Sequence, residues 1–255
     1  MSVSIEQIKE LRDATGVSMT ACKKALEEAN GDYDQAVDLL RKKGAAKAAD
    51  RAERGTGEGI IVVKSDGDKH AMVQLLCETD FVARGDEFMA LADSLADKLL
   101  SGEIKPEDKD IGEVKEAVLK LGENVQIGEM VIYEGGNVGG YVHSNGRIGV
   151  MVKVDGSTPE VARDIAMHVA ASAPKVISPD EVDDALVEKE KAIWTEQLAA
   201  EGKPAEIMEK IMMGKEKKFR EENALLKQPF VKNPDQTIEQ LLDGAAVVDF
   251  MRLSI

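Results

Sequence analysis

Aromatic residues are scarce in this chain of 255 residues. They make up 4% of the sequence, and five of them are phenylalanine, so the position of each phenylalanine is informative. Cysteine is rarer still, because only Cys22 and Cys77 occur, far apart and without metal-ligand spacing. Both lie in apolar patterns. We therefore expect two reduced core cysteines in a cytoplasmic protein, and neither a disulfide nor a metal site.

Basic residues are outnumbered by acidic ones. The chain has 33 lysines and arginines against 48 aspartates and glutamates, which gives a formal net charge of −15. A protein that binds nucleic acid needs a basic face to displace counterions. This balance argues against direct nucleic-acid binding, although a local basic patch remains compatible with it.

Long apolar runs are absent as well. No stretch of about 18 or more apolar residues exists, so we expect no membrane span. The first residues, MSVSIEQIKELRDATG, form an acidic amphipathic pattern instead of a secretion signal. A content of 43% hydrophobic and 32% charged residues is typical of a soluble globular protein, and the length allows two or three modules.

Motifs of catalysis and cofactor binding are missing too. The chain has no P-loop, no GxGxxG that opens a helix after a strand, and no CxxC, HExxH or GxSxG. We expect His70 to be solvated beside a turn, His143 to lie at an exposed hairpin tip, and His168 to pack within a helix. The sequence thus predicts an interaction protein without a cofactor. An enzyme would need titratable groups that converge on His143 or His168.

Residues 1–45 predict three short helices. Ser4, Ser18 and Asp32 are suited to cap their amino termini, and Gly44 is suited to end the third helix. Two-residue connections would join the helices into a small bundle, and this segment resembles a ubiquitin-associated-type module.

Residues 46–56 predict a linker rich in alanine and charge. From Arg41 to Arg54 the chain has six basic residues and two acids. The segment could be an arm that contacts phosphate groups. A solvated helical linker is the favoured interpretation.

An internal repeat follows the linker. Residues 65–67 read SDG and residues 144–146 read SNG, whereas residues 79–84 read TDFVAR and residues 158–163 read TPEVAR. Both pairs are separated by the same 79 positions. Each copy predicts a strand, a hairpin turn, a strand and one helix.

The repeat predicts a core of two related halves, comprising residues 57–138 and residues 139–178 with 227–255. The glycine-rich stretch at 134–140, EGGNVGG, is interpreted as a flexible junction between them. The last residues, AVVDFMRLSI, predict a strand that completes a sheet in the second half.

Residues 179–226 predict an antiparallel hairpin of two helices. It is too polar to be a domain core, so we expect a coiled arm that projects from the body. Its two helices are expected to face each other through a thin apolar stripe made of Val182, Leu186, Ile193, Met208, Ile211 and Met212. The fold class is therefore α+β: a three-helix module, two antiparallel-sheet/helix halves and a helical hairpin.

The stretch CETDFV, residues 77–82, places an aromatic residue where a strand turns into a helix. Alignment with the second copy makes Thr79 the N-cap and Asp80 the first helical residue. Phe81 aligns with Glu160, which favours a solvent-facing position. The spacing of Phe81, Phe88 and Leu95 by seven residues instead favours a buried stripe in the core, and the sequence leaves both positions of Phe81 open.

Four separated stretches resemble the elongation factor Ts family. They are LRDATGVSMTACKKAL with the following NGDYDQAVDLLRKKG, then CETDFVAR, IAMHVAASAP and KQPFVKNP. The resemblance covers essentially the whole chain. It implies a cytoplasmic guanine-nucleotide exchange factor of elongation factor Tu, the GTPase that delivers aminoacyl-tRNA in bacterial translation. It also implies that the factor has no covalent chemistry of its own.

The resemblance also implies the partner-binding residues. The TDFV stretch, Thr79 to Val82, would displace the elements of the GTPase that hold Mg²⁺, with Phe81 inserting between two helices. Further contacts would come from Met19, the pair Leu121 and Gly122, and His143. The family often has a second methionine after the position of Met19, whereas this chain has Thr20. A complex of two factors with two GTPases is possible.

The alternative function is an adapter that acts through the three-helix module. Deleting residues 1–45 would then abolish the activity, whereas an exchange factor would retain exchange through its core with weaker binding.

Overall fold

The structure is a computed structural model that describes residues 3–200 and 205–255. These residues form two compact units. The first contains the described residues up to 132 together with 144–147 and 253–255, and the second contains residues 133–143 and the described part of 148–252.

The first unit begins with a helical module. Its helices are α1, Ile5–Thr15, α2, Met19–Glu28, and α3, Tyr33–Arg51. The predicted caps are confirmed, since the side chains of Ser4, Ser18 and Asp32 each accept a hydrogen bond from the first turn. These bonds satisfy amide groups that have no partner within the helix. The module has its own apolar core of Ile8, Leu11, Val17, Cys22, Ala25, Leu26, Ala29, Ala36 and Leu40.

Helix α3 does not end at Gly44, so that prediction was wrong. The helix continues through an alanine-rich stretch to Arg51. Gly44 faces a later helix of the same unit, α6, Gly112–Leu121, and a Cβ added to Gly44 would lie 3.5 Å from Cβ of Leu119. Gly44 therefore lies at the contact between two helices and does not terminate α3. Much of the predicted linker is helical.

A three-stranded sheet follows the helical module. Its strands are β1, Glu58–Asp66, β2, Lys69–Cys77, and β3, Val125–Glu134, in the order β1-β2-β3. Strands β1 and β2 pair antiparallel through a tight turn at Gly67 and Asp68, which confirms the predicted hairpin. Gly67 has a φ of +59°, a conformation that glycine adopts without steric cost.

The helix after β2 is broken in two, whereas the sequence predicts one long helix. The short helix α4 comprises Asp80–Ala83, and α5 comprises Asp86–Ser101. Between them Gly85 is extended, with φ −74° and ψ 140°, and its amide donates to the carbonyl of Val82 at 2.9 Å. The extended backbone at Gly85 ends one helix and caps the next. Helix α5 packs on β1 and β2.

The second unit contains the second copy of the repeat except for its hairpin turn. Strands β4, Asn137–Val142, and β5, Ile148–Asp155, pair antiparallel and precede the continuous helix α7, Pro159–Ser172. The predicted flexible junction at 134–140 is largely part of β4 and is not a linker. A Cβ added to Gly139 would come within 2.1 Å of the backbone carbonyl carbon of Ala162. Glycine is needed there because strand and helix backbones touch.

Helices α8, Asp184–Ala200, and α9, Ala205–Asn223, form the predicted antiparallel hairpin. Ion pairs join the beginning of α8 to the end of α9, with Arg220 2.5 Å from Asp184. Nearer the middle, Lys191 lies 2.9 Å from Glu216. The rings of Trp194 and Phe219 meet edge-on at 5.8 Å.

The prediction of which face of α8 is buried was wrong. Leu186 and Ile193 are 40% and 44% exposed, whereas Val187 and Leu198 are buried. Trp194 turns toward Phe219, so the buried face is displaced by one residue from the predicted one. On α9 the partly buried residues do include Met208, Ile211 and Met212.

The chain then returns to the body of the second unit. Strands β6, Pro229–Phe230, and β7, Asn233–Thr237, form a small antiparallel pair, followed by helix α10, Ile238–Leu242. The last strand, β8, Ala246–Ser254, completes a sheet of order β4-β5-β8, as predicted. The fold is α+β.

Candidate functional site

The junction between β2 and α4 has the geometry of a capped helix start. Thr79 is extended, with φ −127° and ψ 154°, and its Oγ1 accepts a hydrogen bond of 3.4 Å from the amide of Val82. Thr158 caps α7 in the same way, with a bond of 3.4 Å from Val161. The alignment of the two copies is therefore confirmed: Asp80 is the first helical residue and Phe81 the second.

Phe81 points into solvent. Its side chain is 85% exposed, more than any other large hydrophobic residue in the described part of the chain. Phe88 and Leu95 are 0% exposed and belong to the core. The alternative in which these three residues share a buried stripe is wrong, because the break at Gly85 separates Phe81 from the face of α5.

The residues next to Phe81 differ in their exposure to solvent. The carboxylate of Asp80 is half exposed and lies 3.1 Å from the guanidinium of Arg84, which is itself 80% exposed. Val82 is partly buried against the core beneath the sheet. Val82 thus anchors the turn of helix, while the side chains of Asp80 and Phe81 reach solvent.

Glu123 holds this junction from another part of the chain, although no sequence motif points to it. Its Oε2 accepts hydrogen bonds from the amides of Glu78 at 3.1 Å and Thr79 at 3.0 Å. Its Oε1 accepts a bond of 2.6 Å from the hydroxyl of Thr79. No local pattern could reveal a contact between residues so far apart in sequence.

Glu78 makes the reciprocal contact. Its carboxylate accepts a hydrogen bond of 2.6 Å from the amide of Asn124 and lies 3.5 Å from the guanidinium of Arg54. Asn124 is 2% exposed, and its side chain donates to the carbonyl of Arg54 at 2.8 Å. We call Arg54, Glu78, Thr79, Glu123 and Asn124 the junction clamp. It ties together the segment after α3, the start of α4 and the start of β3.

Leu121 and Gly122 lie directly before Glu123. Leu121 is partly buried against the core, and Gly122 ends α6 with a φ of +79°. A Cβ added to Gly122 would meet nothing within 4 Å, so its outer side is open. The structure therefore brings this pair and the TDFV stretch, two predicted contact sites, to the same clamp.

The remaining predicted contact residues lie elsewhere. Met19 is the first residue of α2 and is partly buried against the core of the helical module. His143 is exposed at the end of β4, in the second unit, where its Nδ1 lies 3.2 Å from the hydroxyl of Tyr141.

His168 is buried, as predicted. Its Nδ1 accepts a hydrogen bond from the amide of Val231 at 3.3 Å, so Nε2 carries the proton and donates to Oε1 of Gln228 at 2.9 Å. Burial lowers the pKa of His168, opposed by the bond to Gln228. His70 was expected to be solvated, but it is half-buried beside Ser65, 2.7 Å from its hydroxyl.

Both cysteines are free, and both are buried, which confirms the predicted core positions. Burial, and then the charge of Glu123, raises the pKa of the Cys77 thiol to about 11. Burial also raises the pKa of Cys22. A thiol of this kind is inert, because the thiolate is the reactive form.

Basic side chains of α3 form two ion pairs and one hydrogen bond to a backbone carbonyl. Arg41 lies 3.5 Å from Glu116, Lys43 lies 2.7 Å from Glu28, and Arg51 donates to the carbonyl of Val118 at 3.3 Å. These contacts favour the helical linker over an arm that contacts phosphate groups.

The described residues contain neither a metal-binding cluster nor a membrane-spanning helix. Among residues 3–200 and 205–255, no group of three or more His, Cys, Asp or Glu could hold a metal ion. No helix in the same residues is both long and apolar enough to cross a membrane.

Comparison with known proteins gives a consistent result. The model of the family described as Elongation factor TS matches residues 78–255. Elongation factor Ts of Hydrogenobaculum sp. is 47% identical over 272 residues, covering 100% of this chain and 99% of the relative. Elongation factor Ts of Alkalilimnicola ehrlichii is 46% identical over 273 residues, covering 100% and 92%. That of Teredinibacter turnerae is 43% identical over 267 residues, covering 100% and 91%. The chain belongs to the elongation factor Ts family of translation elongation factors.

Proposed function

We propose that this protein binds elongation factor Tu and promotes the release of GDP, so that GTP can bind in its place. The observation that carries the proposal is the 85% exposure of Phe81 on a short helix that the junction clamp holds in place. A rigid exposed aromatic side chain is suited to enter a pocket on a partner, since little conformational entropy is lost on binding.

The mechanism we propose is insertion of Phe81 between helices of the GTPase, with Asp80 beside it and Thr79 and Val82 fixing the turn. Insertion would displace the elements that hold Mg²⁺ in the GTPase. This protein then needs no cofactor, metal or covalent chemistry of its own.

The magnitudes show that Phe81 does not act alone. Loosening the nucleotide a thousandfold requires about 4 kcal/mol of differential binding. Burying one phenylalanine supplies about 1.5–3 kcal/mol. The loss of the Mg²⁺ contacts in the GTPase would contribute the rest. A broad interface that includes Met19, Leu121, Gly122 and His143 would hold the distorted state.

Thermodynamic linkage makes the exchange reversible. If the factor weakens nucleotide binding, the nucleotide weakens binding of the factor by the same ratio. GTP arriving at the complex therefore expels the factor and completes the cycle. We place this cycle in the cytoplasm without direct contact to nucleic acid, in keeping with the net charge of −15.

The decisive experiment is stopped-flow measurement of fluorescent GDP release from elongation factor Tu, with unlabelled GDP in excess. The protein should accelerate release in a concentration-dependent way that saturates. Release at the intrinsic rate over the whole concentration range would refute the proposal.

A further inference from the structure

Glu123 connects two stretches that the proposed function assigns to the partner interface. It directly follows Leu121 and Gly122, and it accepts three hydrogen bonds from the two residues directly before Asp80. We propose that Glu123 is a positioning residue that fixes the direction of α4 and thereby of Phe81. This inference rests on the proposed function and assigns Glu123 a role within it.

Helix α4 cannot fix its own direction. It has only four residues and is separated from α5 by the extended backbone at Gly85. An isolated helix of this length is unstable in water, because nucleation costs more than one turn of hydrogen bonds returns. Its orientation must come from tertiary contacts, of which the burial of Val82 and Ala83 is one and the junction clamp is another.

The carboxylate of Glu123 is well suited to this task. A carboxylate only accepts hydrogen bonds, so both amides and the hydroxyl of Thr79 must point toward it. With its proton directed at Glu123, the hydroxyl offers its lone pairs to the amide of Val82. A chain of hydrogen bonds thus runs from Glu123 through Thr79 into the turn that carries Phe81.

Two hydrogen bonds join these segments with donor and acceptor exchanged, and together they prevent rotation of one segment against the other. Glu78 accepts from the amide of Asn124 at 2.6 Å, while Glu123 accepts from the amide of Glu78 at 3.1 Å. The segment at Glu78 and the segment at Glu123 therefore each supply a carboxylate to the other. This crossed arrangement holds the two segments in one relative orientation, whereas a single contact would leave a hinge.

The test is GDP release from elongation factor Tu, measured over a range of factor concentrations, for Glu123→Ala in the wild-type and the Phe81→Ala backgrounds. Glu123→Ala should lower the maximal release rate by roughly tenfold or more, as expected when a key group is misplaced by about an ångström. Glu123→Gln keeps one oxygen for the two amides and should lose less. Glu129→Ala changes an exposed glutamate on β3 and should match the wild type.

The double variant separates positioning from general destabilisation. If Glu123 acts through Phe81, then Glu123→Ala should reduce the rate by less than about twofold once Phe81 is alanine. A purely structural role would lower the folded fraction. It would then raise the half-saturating concentration and leave the maximal rate unchanged.

The outcomes are distinct. A maximal rate for Glu123→Ala equal to that of the wild type overturns the inference and leaves the proposed function intact. An equal fold loss with and without Phe81 also overturns it. If Glu123→Ala does not fold, Glu123→Gln in both backgrounds decides by the same criteria. If the wild type does not accelerate GDP release, the proposed function fails and this inference fails with it.

Discussion

The extended backbone at Gly85 separates Phe81 from Phe88, so that the first ring is 85% exposed and the second is 0% exposed. These two phenylalanines lie on either side of one break in the helix. The exposed ring is the one that we propose to bind the partner, whereas the buried ring stabilises the core. Substitutions at the two positions should therefore have opposite consequences for stability and activity.

Replacing Phe81 should affect activity alone. Phe81→Ala removes a side chain with little buried surface, so the free energy of unfolding should change by less than about 0.5 kcal/mol. Losing about 1.5–3 kcal/mol of burial in the complex should slow GDP release about ten- to a hundredfold. Met213→Ala, at a residue that is 68% exposed on the hairpin, is the matched control and should keep the maximal rate. Wild-type release by Phe81→Ala would contradict the proposed role.

Replacing Phe88 should affect stability. Phe88→Ala leaves a cavity between α5 and the sheet and should reduce the free energy of unfolding by about 3–5 kcal/mol. Denaturant unfolding followed by circular dichroism measures this loss. A change below about 1 kcal/mol would show that the core collapses around the site.

Gly139 should not tolerate a methyl group. Gly139→Ala would place a Cβ 2.1 Å from the backbone of Ala162, so β4 and α7 must move apart. The expected loss is about 1–3 kcal/mol of unfolding free energy, or more. Gly112→Ala is the matched control, because a Cβ there meets nothing within 4 Å, and its midpoint of unfolding should be equal or higher. Equal midpoints for both variants would contradict the close packing of strand and helix.

His168 should make stability depend on pH. Burial lowers its pKa in the folded state, so the unfolded state binds a proton more readily. The stabilising contribution is then complete above about pH 6.5, the unperturbed value, and declines as the pH falls toward the folded-state pKa. His70, whose pKa burial also lowers, adds to this decline in every variant.

The measurement compares unfolding midpoints at neutral and mildly acidic pH for the wild type and His168→Gln. The variant should be less stable at neutral pH, because the bonds with Gln228 and Val231 are altered, but it should lose less stability on acidification. If His168→Gln and the wild type respond identically to pH, the pKa of His168 does not differ between the folded and unfolded states.

Local chemistry accounts for the features that the sequence predicts correctly. The caps at Ser4, Ser18, Asp32 and Thr79 depend on side chains that bond to amides three residues away. The hairpin at Gly67 depends on one positive φ angle. The apolar patterns around Cys22 and Cys77 sufficed to place both in cores. The residue ranges of the predicted domains and the roles of the contact residues stay predictions.

The periodicity of apolar residues predicts structure poorly where two elements of secondary structure meet. The spacing of Phe81 and Phe88 allowed a continuous stripe, because a glycine such as Gly85 is compatible with both a helix and a break. Gly44 was taken as a helix end for the same reason. In the hairpin, the contact between Trp194 and Phe219 sets the phase of α8, and polar helices with few apolar residues leave that phase undetermined.

The sequence by itself determined the three capped helices at the amino terminus, the repeat with its hairpins and the capped start at Thr79, because these depend on bonds and angles within a few residues. The tertiary structure alone decided that Phe81 faces solvent and that Glu123 holds the turn carrying it. Those outcomes depend on contacts between distant segments, whose carboxylates, amides and apolar faces meet only when the chain is folded.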